Sequence, residues 1–235
     1  MPTIQDALTV IRALIERSNT LGSPIHDTII VLGGTALSAH GIRPESADID
    51  LYVRTFSEDA VFQLERELKP VLGEKFRLDV TATENLWGVI LLRDIDEHSP
   101  VYQTIEVAGQ PFVIKALSIE DLFLVKLSAD REKDRRDLPL LAARTTAEAL
   151  IARFNVIAPW HGNRPELPRY ADEFTRQLEK HYALPPSQSL PQLKLPKFIL
   201  EMLWQAYYPT QEEAPPDTPP EPDPLHPWRR SNPSP

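Results

Sequence analysis

The chain has 235 residues, of which 42% are hydrophobic, and it carries a formal net charge of −9 and no cysteine. This length allows one sizeable domain, or one domain with a small helical addition. The absence of cysteine excludes disulfides, thiolate metal sites and cysteine nucleophiles. The acidic balance argues against a broad nucleic-acid-binding surface, because phosphate contacts come from lysine and arginine.

The N-terminal sequence and the hydropathy predict a cytoplasmic protein. Residues 1–19 lack the basic start and the continuous apolar core of a signal peptide. No run of about eighteen apolar residues occurs, so we expect no membrane partner. A chain without cysteine also fits a reducing compartment.

The first half of the chain shows the periodicities of both helices and strands. Residues 3–18 place apolar side chains on one helical face, with Thr3 as the N-cap. The other elements predicted here are strands at 28–34, 48–54, 76–83 and 87–93, helices beginning at 35 and 57, the latter opened by Ser57 and ending at 68, and a β-hairpin of 102–107 and 111–117.

From residue 118 the apolar period changes from two to nearly four, which predicts helices. One helix is expected to begin near 119, a second near 134, and a third at a capping box formed by Thr145 and Glu148. Two more are expected to cover 168–182 and 196–207. The pattern as a whole predicts an α+β (mixed α/β) fold, with a small mixed sheet flanked by helices and a helical C-terminal part.

Two aspartates of the 48–54 strand are the first candidates for chemistry. Asp48 and Asp50 are two residues apart, so their side chains point to the same face of the strand. Two neighbouring carboxylates repel each other unless cations lie between them. Asp79, on the polar face of the 76–83 strand, is placed to complete a three-carboxylate cluster. Oxygen ligands of this kind suit Mg²⁺, and two such ions can clamp a phosphoryl transfer.

The Gly33-Gly34 turn supplies a second candidate feature. A strand that ends in glycines and leads into a helix exposes backbone N–H groups that can bind phosphate. Thr35 adds a hydroxyl at the same place. Many strand–helix turns need glycine for steric reasons alone, so the combination with the two aspartates carries the prediction.

Two segments resemble a known family. Residues 31–53, VLGGTALSAHGIRPESADIDLYV, resemble the polymerase-β-like nucleotidyltransferase superfamily, whose signature is Gly-Gly or Gly-Ser, about a dozen residues, and then Asp-x-Asp. Residues 119–138, IEDLFLVKLSADREKDRRDL, resemble the Lys-x₆-Lys-Asp-x-x-Asp signature of a bacterial subgroup. That subgroup includes nucleotidyltransferase toxins of toxin–antitoxin and abortive-infection systems. Where relatives often have Gly-Ser, Gly-Gly-Thr here moves the hydroxyl by one place.

The resemblance implies roles for individual residues. Gly33, Gly34 and Thr35 are expected to bind the triphosphate. Asp48 and Asp50 are expected to hold the metals, and Asp79 is expected to supply the third carboxylate. The expected further nucleotide-binding residues, on the far wall of the cleft, are Lys126, Lys133 and Asp134. The implied reaction moves a nucleoside monophosphate from an NTP to a hydroxyl, with two Mg²⁺ and release of pyrophosphate.

The resemblance leaves several alternatives open. The acceptor it implies is tRNA or a protein, with a cognate antitoxin as a partner, and the enzymatic alternative is an aminoglycoside-type small molecule. A different class of function is a nucleotide-binding or regulatory protein that keeps the fold without catalysing. The resemblance covers about residues 28–145 and supports a nucleotidyltransferase-like domain at 1–155. Periodicity and composition, not the resemblance, predict a helical part at 156–208 and a proline-rich tail at 209–235. That tail has ten prolines among 27 residues, which favours a solvated, disordered segment over a ligand for an aromatic groove.

Several charged residues near these motifs have two interpretations each. Lys126 either snorkels, with its stem on apolar neighbours and its ammonium in water, or faces the cleft. Arg43 either neutralises phosphate or pairs with Glu45, and Ser46 either orients Asp48 or merely begins the strand. The remaining charges of the 130–137 stretch are typical of a salt-bridged, solvated helix face.

Overall fold

The computed structural model describes residues 1–26, 28–83, 92–129 and 131–209. The strand predicted at 87–93 therefore lies largely outside the described residues, as does nearly all of the predicted tail. Within the described residues, the helices are α1 (Ile4–Thr20), α2 (Gly33–Ala39), α3 (Glu58–Leu72), α4 (Ile95–His98), α5 (Ile119–Ala129), α6 (Glu132–Ala142), α7 (Ala147–Ile157), α8 (Leu167–Tyr182), α9 (Pro186–Ser189) and α10 (Lys197–Tyr207), with 3₁₀ turns at Ala158–His161 and Leu190–Gln192.

Five strands form one mixed sheet. They are β1 (Ile29–Val31), β2 (Ile49–Tyr52), β3 (Leu78–Thr81), β4 (Val101–Val107) and β5 (Gln110–Ala116), in the spatial order β3-β2-β1-β5-β4. β1 pairs antiparallel with β2 and parallel with β5, β2 pairs parallel with β3, and β4 pairs antiparallel with β5. The sheet with its surrounding helices confirms the predicted α+β class.

Local signals fix several element ends as predicted. Thr3 caps α1 in a full capping box with Asp6, and the Ser57 hydroxyl accepts the N–H of Ala60 at the start of α3. The turn between β4 and β5 holds Ala108 and Gly109 at φ of 51° and 76°. Two successive left-handed residues are what a tight hairpin turn requires.

The predicted capping box at Thr145 is wrong by one residue. The N-cap of α7 is Thr146, whose hydroxyl accepts the N–H of Ala149. Thr145 instead contacts the carboxylate of Glu120 on α5 through its hydroxyl. Because both residues are threonines, local sequence alone does not decide which one caps, and the tertiary contact with Glu120 does.

The helices of the C-terminal part share one hydrophobic core with the sheet. The buried cluster extends from Ala7 on α1 to Leu203 on α10. Phe154 on α7 stacks on Phe174 of α8, with ring centroids 4.4 Å apart. The Tyr170 hydroxyl donates to the carbonyl of Leu124 on α5 at 3.0 Å. The predicted boundary at 155 thus falls inside a helix that packs on both sides.

None of the helices in the described ranges is both long and apolar enough to pass through a membrane.

Candidate active site

A pocket of about 150 Å³ lies between the β2–β3 edge of the sheet and the α5–α6 helix pair. Eight of the nine predicted site residues line it: Gly33, Gly34, Asp48, Asp50, Asp79, Lys126, Lys133 and Asp134. Arg43, Ser46, Ala47, Arg131 and Asp137 complete its lining. We call this the acidic pocket. The two sequence motifs, about 80 residues apart in the chain, therefore form opposite walls of one site.

The parallel register of β2 and β3 brings the predicted carboxylates together. Asp50 is directly opposite Asp79 in that register, and Asp48 comes just before β2 on the same side. Burial, followed by the charges of Asp79 and Asp48, raises the pKa of Asp50 to about 7. The charge of Lys133 and a hydrogen bond from the Gly34 N–H act in the opposite direction. Burial is thus the main factor that disfavours the ionised form of Asp50, and the two neighbouring carboxylates add to it.

Asp79 lies at the open side of the pocket. The residue as a whole is exposed, but partial burial of its carboxylate, with the charge of Asp48, raises its pKa. The nearby Arg77 lowers it. Asp79 therefore combines access to solvent with a pKa above that of an ordinary aspartate, as a proton acceptor needs.

The donor set of the pocket suits a hard divalent cation. Asp48, Asp50 and Asp79 offer carboxylate oxygens, the ligands that Mg²⁺ prefers. A cation between them would relieve the repulsion that raises the pKa of Asp50. In the described part of the chain, no group of three or more His, Cys, Asp or Glu side chains is close enough to hold a metal ion as it stands. The carboxylates share one pocket but would have to draw together around an ion.

The two glycines permit close approach to the carboxylate strand. A Cβ on Gly33 would be 2.3 Å from Oδ2 of Asp50, and a Cβ on Gly34 would be 2.2 Å from Oγ of Ser46. Gly33 also has a φ of +49°, which L side chains rarely adopt. α2 begins at Gly33 itself, two residues earlier than predicted. Since the Gly34 N–H bonds the Asp50 carboxylate, the glycine turn orients that aspartate in the protein as it stands.

Alanine at Gly33 is expected to change the Asp50 site more than it changes stability. Positive φ at an alanine costs about 1–2 kcal/mol, and the Asp50 carboxylate must swing away from the new methyl group. Burial is the main cause of the raised pKa of Asp50. A carboxylate displaced toward solvent should therefore have a pKa below 7, closer to its usual range. A carboxylate NMR titration of both proteins measures this.

Gly22→Ala is the matched control for the Gly33 variant. Gly22 has a φ of +78° and nothing within 4 Å of a Cβ, so it carries the backbone strain without the contact. Both variants should lose similar stability in urea, and only Gly33→Ala should shift the titration of Asp50. Equal titrations in the two variants would show that Gly33 does not control Asp50.

Thr35 differs from its predicted role. Its side chain is 2% exposed, and its hydroxyl donates to the carbonyl of Asp48 and accepts the N–H of Asp50, both at 3.2 Å. The hydroxyl is thus used to tie α2 to β2 and is not part of the pocket lining. It positions the strand that carries the aspartates.

Lys126 does not snorkel. It is 7% exposed, and its Nζ lies 2.9 Å from Oδ1 of Asp134 and 2.8 Å from Oδ2 of Asp137. It lines the pocket, as the cleft-facing alternative predicts. However, two carboxylates already neutralise its charge, so the structure uses this lysine to join α5 to α6.

Asp134 is also committed to internal contacts. It is fully buried, with Oδ1 on Lys126 and Oδ2 2.5 Å from Nε of Arg131. Burial opposes its ionisation, but the hydrogen bonds from Arg131 and Lys126 dominate and lower its pKa. Asp134 is therefore a charged anchor inside the pocket wall.

The sequence interpretation missed Arg131 and Asp137, which it placed on a solvated helix face. Asp137 is 1% exposed and contacts both Lys126 and Nη2 of Arg43. Arg43 therefore pairs with Asp137 of α6, a partner that neither of its two interpretations named. The sequence feature that could have identified Asp137 is the Lys-x₆-Lys-Asp-x-x-Asp motif, since Asp137 is its last aspartate. The solvated-face prediction does hold for Arg136, which pairs with Glu132 on the exposed side.

Lys133 has a different environment from Lys126. It is exposed at the pocket rim, and its charge lowers the pKa of Asp50 across the pocket. Its neighbour Asp134 is buried and fixed. α6 therefore presents an accessible ammonium to the three carboxylates while it buries the adjacent carboxylate.

Comparisons of the chain with protein-family models, with curated proteins and with solved structures find no match. The functional argument consequently depends on the geometry of the acidic pocket and on the chemistry of its residues.

Proposed function

We propose that the protein is a metal-dependent nucleotidyltransferase that moves a nucleoside monophosphate from an NTP to a hydroxyl. The observation that carries the proposal is the acidic pocket, where the Gly33-Gly34 turn, three carboxylates and the Lys133 ammonium face one another. Phosphoryl transfer needs carboxylates to hold cations on one side and positive charge for the phosphates on the other.

Each residue type has a task in this reaction. The acceptor oxygen attacks the α-phosphorus, the bond between the α- and β-phosphates breaks, and pyrophosphate leaves. Bound Mg²⁺ would supply charge neutralisation for the phosphates, and Asp48 and Asp50 would hold it. Asp79 accepts the proton of the attacking hydroxyl, because it lies at the open side of the pocket with a raised pKa. Lys133 contacts the phosphate oxygens.

The size of the pocket limits what it encloses. Sites that bury a whole drug-sized ligand usually measure about 300–1,000 Å³, whereas this one measures about 150 Å³. We infer that it takes the phosphate chain, while the nucleoside and the acceptor lie outside. An open pocket of this kind suits a macromolecular acceptor, tRNA or a protein, better than an enclosed small molecule. On this proposal the protein works in the cytoplasm, and an antitoxin would act by covering the pocket.

Metal-dependent nucleotide binding tests the proposal. Calorimetry with each NTP should show clear binding in Mg²⁺ and much weaker binding in EDTA, because the carboxylates repel phosphate unless cations lie between them. Equal binding in the two buffers would favour a nucleotide-binding protein without transferase activity. Absence of binding with all four NTPs would contradict the proposal.

Lys133→Met is expected to weaken NTP binding without lowering stability. A hydrogen bond to a charged group contributes roughly 1.5–3 kcal/mol, so the Kd should rise about ten- to a hundredfold. Lys133 is exposed, and unfolding in urea should therefore change by less than about 0.5 kcal/mol. Lys197→Met is the control, since Lys197 lies on α10 with its side chain 89% exposed. An unchanged Kd for Lys133→Met would remove Lys133 from the phosphate site.

A further inference from the structure

Five charged residues around the acidic pocket form one connected cluster. They are Arg43, Lys126, Arg131, Asp134 and Asp137, and we call them the charge cluster. Both carboxylates are buried, and each contacts two cations. Lys126, at the centre, bridges Asp134 and Asp137. The cluster has two negative and three positive charges, so its formal balance is +1, facing the three carboxylates of the opposite wall.

The charge cluster joins two parts of the chain that carry different halves of the site. Arg43 lies in the loop between α2 and β2, a few residues before Asp48. Asp137 lies on α6, the helix that also presents Lys133. The only members of the cluster that link these two parts directly, among the described residues, are Arg43 and Asp137. Their contact crosses from the carboxylate wall to the lysine wall.

We propose that Arg43 and Asp137 are positioning residues, whose ion pair fixes the loop before β2 against α6 and so sets Lys133 opposite Asp50. This inference rests on the proposed function for the reaction that it serves. Asp137 is buried and is held on its other oxygen by Lys126 at 2.8 Å. Arg43 consequently meets a carboxylate that is already fixed in place. A fixed partner makes the pair a geometric constraint, unlike mobile surface pairs.

A double-mutant cycle tests whether Arg43 acts through Asp137. The variants are Arg43→Gln, Asp137→Asn and the double variant, measured for amide hydrogen exchange without metal or nucleotide. The reporter is the Ser46 amide, which donates to the carbonyl of Pro2 at 2.9 Å in the loop concerned. Each single variant should speed its exchange at least about tenfold. The double variant should exceed Asp137→Asn by no more than about twofold, because Arg43 has already lost its partner in that single variant.

Transfer kinetics add a readout that general destabilisation does not move. Arg43→Gln should lower kcat about tenfold or more and leave the Kd of the Mg²⁺-bound NTP within about twofold, and Arg43→Lys should restore part of kcat. Arg17→Gln is the control, because it removes a surface arginine–glutamate pair between α1 and α3, neither member of which lines the acidic pocket. It should change neither Ser46 exchange nor kcat.

The outcomes separate this inference from the proposed function. Unchanged Ser46 exchange, or effects that add in the double variant, would overturn the positioning role. A tenfold rise in Kd for Arg43→Gln with unchanged exchange would also overturn it, since Arg43 would then contact phosphate itself. Coupled exchange effects in a protein that transfers no nucleotide would support the ion pair as the constraint on the loop and would refute only the proposed function.

Discussion

Lys126→Met is expected to destabilise the folded protein by roughly 3 kcal/mol. Removing one member of a buried ion pair typically costs about 3–5 kcal/mol, because it leaves a charge without its partner in the interior. Here Asp134 and Asp137 would lose their shared cation. The lower end of that range applies, since Arg131 and Arg43 each still neutralise one carboxylate.

Urea unfolding at pH 7 measures this loss, with Lys133→Met as the matched control. The two lysines are seven residues apart in the same motif, but only Lys126 is buried. The control should unfold within about 0.5 kcal/mol of the unmodified protein. If Lys126→Met were as stable as the control, the lysine would be solvated as a snorkelling side chain is, and the charge cluster would not exist in solution.

Asp50→Asn is expected to stabilise the protein above pH 7 and to leave it nearly unchanged near pH 4. Burial and the charges of Asp79 and Asp48 raise the pKa of Asp50 to about 7 from the usual 3.8. The folded protein thus holds a proton on Asp50 that the unfolded chain has lost, so stability falls as pH rises from about 4 to about 7. A difference of this size corresponds to something on the order of 4 kcal/mol above pH 7.

Thermal melting at pH 5 and pH 8, without divalent metal, tests this prediction. The asparagine side chain keeps an oxygen that can accept the hydrogen bond from the Gly34 N–H, but the side chain cannot ionise. The gain in Tm from Asp50→Asn should therefore be larger at pH 8 than at pH 5. The same gain at both pH values would mean that the ionisation of buried Asp50 is not its cause, and a loss of Tm at pH 8 would contradict the described electrostatics.

Local sequence signals were sufficient to predict most of the fold. The caps at Thr3 and Ser57 and the hairpin turn depend on contacts within a few residues, so spacing and residue type identify them. Grouping Asp79 with Asp48 and Asp50 needed only the polar face of its strand, whereas the parallel pairing of β2 with β3 was not predicted. The starts of α6 and α2 were both predicted two residues late, near 134 and at 35, because helix ends depend on neighbours that sequence does not show.

The candidate site was predicted in position but not in all its contacts. The two motifs and Asp79 together identify eight of the residues that line one pocket. The roles of Lys126, Asp134 and Thr35 depend instead on what lies across from them after folding. Asp137 and Arg43 are 94 residues apart, and no periodicity links them. A charge-rich stretch such as 131–137 resembles a solvated face until the packing of α5 on α6 buries one side of it.

Transfer of label from NTP to an acceptor tests the central claim most directly. The protein, Mg²⁺ and a cell extract would be incubated with NTPs labelled on either the α- or the γ-phosphate. Nucleotidyl transfer requires that α-label enters a macromolecule, that γ-label does not, and that both Asp48→Asn and Asp50→Asn abolish the signal while remaining folded. Incorporation of γ-label, or α-label that survives Asp50→Asn, would contradict the proposed reaction.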